Sequence, residues 1–282
     1  MDLKNKVIMV TGANSGIGKV TARELAKTGA QIIMVCRDRK RGTAARDEII
    51  KASGNQRVDL LIADLASHTS IRDMVKEFHK KYNRLHVLVN NAGAIFSNRQ
   101  ENAEGIEATF ALNHLGYFRL TNLLLDTIKK SAPARIVNVA SEAERFARFN
   151  LDDLQSTEKY RSFDVYGRSK MANILFTREL AKRLDGARVT VNALHPGFVR
   201  TNFGKQRRKS FFSAVIKFAS LFMAISPEKG AETSIYLATS PEVENITGKY
   251  FSAQKIIEPA ADALNDEIAR RLWEKSEKLN RI

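Results

Sequence analysis

Four apolar residues in a row, Val7-Ile8-Met9-Val10, lead without a break into Thr11-Gly12-Ala13-Asn14-Ser15-Gly16-Ile17-Gly18, and a helical pattern then runs to Lys27. A wholly apolar run this short reads as a strand covered on both faces, the situation of a strand inside a parallel sheet. A parallel neighbour is reached only through a crossover, so a chain that opens this way is committed to alternating strands and helices. Gly12 and Gly16 let backbone N–H groups approach a pyrophosphate at the positive end of the helix, and Gly18 allows that helix to pack closely on the sheet. The spacing is G-x-x-x-G-x-G, not the G-x-G-x-x-G of the general dinucleotide fingerprint, and by itself it also fits a plain strand-to-helix turn.

The alternation continues down the chain. Strand patterns at 31–36, 58–63, 85–89, 135–141, 189–194 and 248–251 are separated by helical patterns at 39–53, 69–82, 103–130, 165–183 and 227–239, and a polar helix is expected over 266–279. With right-handed crossovers these elements predict a doubly wound parallel sheet of seven strands with helices on both faces. Residues 1–282 hold no repeat, low-complexity stretch or linker. One domain is therefore expected, with a variable segment at about 200–226 serving as a substrate lid. Asn113 falls inside the helical pattern of 103–130, where its amide competes for backbone hydrogen bonds and predicts a local kink that holds water.

Composition narrows the function classes. The single cysteine, Cys36, excludes an internal disulfide and leaves no thiolate cluster for a metal, which suits a reducing compartment. The start of the chain shows no charged-then-apolar leader, and a cytoplasmic protein is expected. A net charge of +15 favours anionic partners. No nucleic-acid recognition motif accompanies it, so phosphates or a lipid surface are the expected ones. Phe211, Phe212, Val215, Ile216, Ala219, Phe222 and Met223 recur at helical spacing behind the basic cluster Lys205-Gln206-Arg207-Arg208-Lys209. The 205–223 segment thus fits core packing, an apolar substrate lid or a peripheral membrane contact, and it is too short and interrupted to span a bilayer.

Several positions carry chemistry. Tyr166 and Lys170 stand four residues apart, which places a phenol and an ammonium on one helical face. Lowering a phenol pKa by about three units takes on the order of 4 kcal/mol of preferential phenolate stabilisation, and a neighbouring cation is a source for it. Cys36 and Arg37 occupy the tip of the second strand, where an acidic residue would bind the ribose 2′-hydroxyl of NAD. A guanidinium there suits a 2′-phosphate and favours NADP(H) over NAD(H), although Asp38, one residue on, can also bond a ribose. Asn90-Asn91-Ala92-Gly93 closes the fourth strand and Ser141 the fifth, both at the carboxyl edge of the sheet. His114 and His195 are isolated and read as structural.

Thr11-Gly12-x3-Gly16-x-Gly18, Asn90-Asn91-Ala92-Gly93, Asn113, Ser141, Tyr166-x3-Lys170 and Pro196-Gly197, in this order, resemble the short-chain dehydrogenase/reductase superfamily over nearly the whole chain. Val35-Cys36-Arg37-Asp38, Ser169-Lys170-Met171-Ala172-Asn173 and Leu194-His195-Pro196-Gly197 are similar to its retinol dehydrogenase-like group. Many relatives carry Ser where Ala140 stands, whereas Ser141 is kept. Membrane-bound relatives begin with an apolar leader that this sequence does not show. The resemblance implies catalytic roles for Asn113, Ser141, Tyr166 and Lys170, and cofactor contacts from Gly12, Ala13, Asn14, Ser15, Gly16, Ile17, Gly18, Arg37, Asp64, Leu65, Asn91, Ala92, Gly93, Tyr166, Lys170, Pro196, Gly197, Val199 and Thr201. It further implies hydride exchange between NADP(H) and a lipophilic aldehyde, ketone or alcohol, in a homodimer or homotetramer. The other function class consistent with these residues is a non-catalytic dinucleotide-binding or sensing protein on the same fold.

Overall fold

A computed structural model describes residues 3–197 and 225–281. Val199, Thr201 and the 205–223 segment lie outside the described residues. The first apolar run forms β1 (Val7–Thr11), at the middle of the sheet, between β2 (Gln31–Cys36) and β4 (Val87–Asn90), both parallel to it. β3 (Val58–Ile62) extends the sheet beyond β2, and β5 (Ala134–Val139), β6 (Val189–Leu194) and β7 (Tyr250–Ser252) extend it beyond β4, all in parallel.

The expected seven strands become eight, because a short strand β8 (Lys255–Ile257) returns antiparallel along β7 and gives the order β3-β2-β1-β4-β5-β6-β7-β8. Ala253 and Gln254 make the turn with φ of 46° and 64°. Two left-handed residues are what a tight two-residue hairpin requires, but Ala-Gln carries none of the Asn-Gly signal that announces one.

Alternate residues of each central strand feed opposite cores, as the period of two demands. Ile8, Val10, Ile32 and Met34 pack with α1 (Gly16–Lys27), α2 (Arg39–Ser53) and α7 (Pro227–Thr239) through Leu25, Ile49 and Leu237. Met9, Ile33 and Leu88 face α3 (His68–Lys81), α5 (Gly116–Lys130) and α6 (Ser162–Arg183) through Phe78, Phe118 and Phe176. The expected helix over 103–130 is interrupted. It starts with a single turn, α4 (Ala108–Phe110), because the Glu107 carboxylate caps the N–H groups of Thr109 and Phe110 at 2.8 and 2.7 Å. A five-residue π-turn, Ala111–Leu115, with Asn113 at its centre, then leads into α5. The kink expected at Asn113 thus takes the form of a wide turn closed by the Gly116 N–H on the Ala111 carbonyl.

The C-terminal helix α9 (Asp266–Asn280) follows the short α8 (Ala261–Leu264) and docks against the domain. Trp273 packs on the Phe118 and Phe176 rings at 4.8 and 5.8 Å, with the Arg183 guanidinium 4.3 Å above it. Ser276 Oγ meets His114 Nε2 at 2.9 Å, and burial pushes the His114 pKa down to about 3, in keeping with a structural histidine.

Candidate active site

β1 and β4 are neighbours in the sheet but belong to its two oppositely winding halves, so a crevice opens at their carboxyl ends. The glycine turn closes one wall of it. Gly12 and Gly16 adopt φ of +67° and +54°, and the Gly12 N–H donates to the Val35 carbonyl at 2.8 Å. Thr11 Oγ1 accepts from the N–H groups of Asn91 and Ala92 at 2.8 and 3.0 Å, while Asn91 Nδ2 donates to the Thr11 carbonyl at 2.8 Å. The packing leaves no room for a side chain at Gly12 or Gly18. A Cβ on Gly12 would lie 2.9 Å from the Ala92 Cα, and one on Gly18 would lie 2.5 Å from the Gly12 carbonyl oxygen.

The cradle fits a dinucleotide. α1 begins at Gly16 with an extended Ser15 whose side chain makes no capping bond, and its first turn holds no acidic residue. The N–H groups and positive dipole end of a twelve-residue helix thus face the crevice uncompensated, as a pyrophosphate site needs. At the tip of β2, Cys36 is buried and Arg37 is exposed. Asp38 is the N-cap of α2, accepting from the Arg41 N–H at 2.8 Å. Asp64 turns the chain after β3, its Oδ1 accepting from the Ala66 N–H at 2.9 Å, and Leu65 is buried against α5. Pro196 and Gly197 follow β6, with Gly197 at φ +79°.

Beside the cradle the polar groups expected to act together do come together. Ser141, just past the end of β5, hydrogen-bonds Tyr166 through their side chains. Lys170, one turn further along α6, donates to the Val139 carbonyl at 2.9 Å, and its Nζ lies 5.7 Å from the Tyr166 ring centre. Asn113 is buried, its Oδ1 accepting from the Ala94 N–H and its Nδ2 donating to the Ala94 carbonyl, each at 2.9 Å. A Cβ on Gly93 would sit 3.1 Å from Asn113 Oδ1 and 3.3 Å from Lys170 Nζ, so this glycine lets both side chains reach one point.

A family profile described as short chain dehydrogenase matches residues 6–210. This chain is a short-chain dehydrogenase/reductase. Within the superfamily it belongs with the retinol dehydrogenase-like group: Retinol dehydrogenase 14 of Homo sapiens is 45% identical over 289 residues, covering 98% of this chain and 86% of the relative. Among solved structures, an uncharacterised protein from Mycobacterium Paratuberculosis superposes with a TM-score of 0.78 at 31% identity, covering 99% of this chain and 96% of that one. The Pseudomonas aeruginosa RhlG/NADP active-site complex superposes with a TM-score of 0.71 at 26% identity, covering 89% and 95%. Membership makes this dehydrogenase an NAD(P)-dependent oxidoreductase.

The electrostatics of the dehydrogenase site differ from the simple expectation of a lysine lowering a tyrosine. Dense surroundings push the Tyr166 pKa up to about 12, opposed by the Ser141 hydrogen bond, although the residue keeps partial solvent access. Burial pushes Lys170 down to about 7. The residues by themselves therefore favour a neutral phenol, a proton donor, beside a lysine close to its titration point at neutral pH.

Two residues to which the motifs assign no role, Ser169 and Asn138, brace the site. Ser169 links Asn113 to the helix, accepting from Asn113 Nδ2 at 3.0 Å and donating to the Tyr166 carbonyl at 2.7 Å. Behind them, Asn90 Nδ2 donates to Thr121 Oγ1 and Asn138 Oδ1, and Asn138 Nδ2 donates to Thr177 Oγ1, all at 2.9–3.0 Å, fastening β4 and β5 to α5 and α6. An amide inside an otherwise apolar central strand was the available signal, since such a group must find buried partners. Among the described residues, no three His, Cys, Asp or Glu are grouped to hold a metal, and no helix is long and apolar enough to cross a membrane.

Proposed function

We propose that this dehydrogenase interconverts a lipophilic aldehyde or ketone and its alcohol with NADP(H), using Tyr166 as the general acid and base. The observation that carries the reading is the Ser141 hydroxyl set on the Tyr166 phenol, with Lys170 one helical turn away, beside a glycine cradle at the carboxyl edge of the sheet. When bound, the nicotinamide dinucleotide supplies or accepts the hydride. Tyr166 Oη gives a proton to the substrate oxygen during reduction and takes one during oxidation. Ser141 Oγ donates to the same oxygen where negative charge builds, a placement that typically contributes 10²–10³-fold. Lys170 tunes the phenol and holds the nicotinamide ribose, and the wide turn at Asn113 positions a water that links the pair to solvent.

The cofactor preference rests on the tip of β2. The Asp38 carboxylate is occupied in capping α2, which favours the exposed Arg37 as the ribose contact, and a guanidinium matches a 2′-phosphate. The solved relative RhlG is an NADP complex, which supports the same preference. The lipophilic substrate class follows the retinol dehydrogenases that this chain is similar to.

Turnover of straight-chain aldehydes of graded length, with NADPH and NADH in parallel, tests the reading. The expected result is faster reduction with NADPH and a rate that climbs with chain length. Tyr166→Phe should lose at least 10²-fold in kcat while still binding NADPH. Wild-type protein that reduces nothing in the panel with either dinucleotide would overturn the assignment.

A further inference from the structure

Lys170 is only 2% exposed, and among the described residues no charged group acts on its protonation. Its hydrogen bond goes to the Val139 carbonyl. A buried cation with so little compensation is costly unless something else favours the charge. Two phenol rings lie within cation–π range of Nζ, Tyr117 at 5.5 Å and Tyr166 at 5.7 Å from the ring centres. Tyr166 is committed to Ser141. Tyr117 is fully buried, and its hydroxyl has no hydrogen-bond partner among the described residues. The ring against Lys170 is therefore a polar contact that this side chain makes without help from its hydroxyl.

The backbone fixes that ring in place. Tyr117 is the second residue of α5, and a Cβ on its neighbour Gly116 would stand 2.5 Å from the Leu65 carbonyl oxygen, so the start of the helix is wedged. Among the described residues, the groups facing Lys170 from each side are few. α5 presents Tyr117, the helix of Lys170 presents Tyr166, β5 presents the Val139 carbonyl, and the turn after β4 presents Gly93 and, across it, Asn113. None of these carries a formal charge at neutral pH.

We propose that Tyr117 is a positioning residue of this reaction, whose ring face holds the Lys170 ammonium in place and in its charged form. The inference rests on the proposed roles of Tyr166 and Lys170, and it adds a residue that neither the ordered motifs nor the polar network includes. A desolvated cation–π contact shifts an ammonium titration by about one pH unit. Loss of the ring's electron density at position 117 should lower the Lys170 pKa by that amount, moving the alkaline limb of the pH–kcat/KM profile to lower pH.

The test keeps shape constant and changes only the ring. Tyr117→Phe is compared with full-length protein carrying 4-fluoro-, 3,5-difluoro- and 3,4,5-trifluorophenylalanine at the same position. Lys170 is titrated by the NMR signals of lysine side chains labelled at Cε, assigned with Lys170→Met. Tyr117→Phe should keep the Lys170 pKa within about 0.3 of wild type, and stepwise fluorination should lower it by about one unit in total. A pKa indifferent to fluorination overturns the proposal, since a residue that merely fills space responds to shape alone. The same variants are then assayed with NADPH and a long-chain aldehyde, where the alkaline limb should move in the same order. If the wild type turns over no carbonyl substrate, the functional reading fails, while the titration still decides the contact between Tyr117 and Lys170.

Discussion

Lys170 shows how a single buried group can set the pH response of the whole molecule. Its pKa is about 7 in the folded protein against 10.5 as the ordinary value. Between those limits the unfolded chain binds the proton and the folded chain does not, so stability rises with pH across that window. Below pH 7 both states are charged and the burial cost is fully present. Lys170→Met should therefore be more stable than wild type at pH 6–7, and the advantage should shrink by an amount on the order of 4 kcal/mol as the pH approaches 10. Urea unfolding of both proteins at pH 6.5, 8 and 9.5 checks it, and parallel curves would refute the buried titration. Tyr166, raised to about 12, has the opposite sign: its contribution is present below pH 10 and lost above, outside the range measured. Tyr166, Lys170 and Ser141 were legible from their spacing and order. Tyr117 was not, because a tyrosine in an apolar helix reads as core until the ammonium is seen beside it.

Among the elements, the first turn of α1 is where packing and the proposed cofactor contact coincide. Gly18 has an ordinary helical backbone, yet an added methyl group would stand 2.5 Å from the Gly12 carbonyl oxygen and 2.4 Å from Asn91 Nδ2. The amide can swing aside, but the carbonyl belongs to the turn proposed to cradle the pyrophosphate. Gly18→Ala should cost about 1–3 kcal/mol in urea unfolding and weaken NADPH binding at least tenfold, measured by fluorescence titration. Unchanged affinity would mean that the turn can shift without harm. The strands of the central sheet were readable because three to five buried apolar residues bounded by glycine or polar turns have few other solutions. The interruption at Ala111–Leu115 was readable only as a weakness. A poor helix residue marks where a helix yields, but whether it yields as a bend, a break or a wide turn depends on neighbours far along the chain.

For the whole molecule, the sheet ends in a strand that its own residues do little to specify. β8 presents exposed Lys255 and Ile256 and, among the described residues, pairs only with β7, through a turn of two left-handed residues that are neither glycine nor asparagine. Local propensity is weak there, and the hairpin is held in part by the Gln254 N–H donating to Thr233 Oγ1 at 3.2 Å. The double substitution Ala253→Asn with Gln254→Gly supplies residues suited to the turn. It should raise stability by about 0.5–1 kcal/mol and leave turnover unaltered, as read by thermal unfolding and steady-state assay. A loss of stability would show that contacts beyond the turn set its shape. The eighth strand was missed for the same reason, since tertiary contacts, not residue preference, place it.

The wide turn that precedes α5 has one more implication. A regular helix advances 100° per residue, so a turn holding one residue more than usual rotates everything after it by about that angle. From within the turn the rod aims its buried amide at Ala94 and Ser169, and downstream it aims an aromatic ring at the lysine. Removing any one residue of Ala111–Leu115 other than Asn113 itself would restore ordinary winding and turn one of those two groups away from the crevice. At this place the tally of peptide units, more than their chemistry, sets where the rod points its groups.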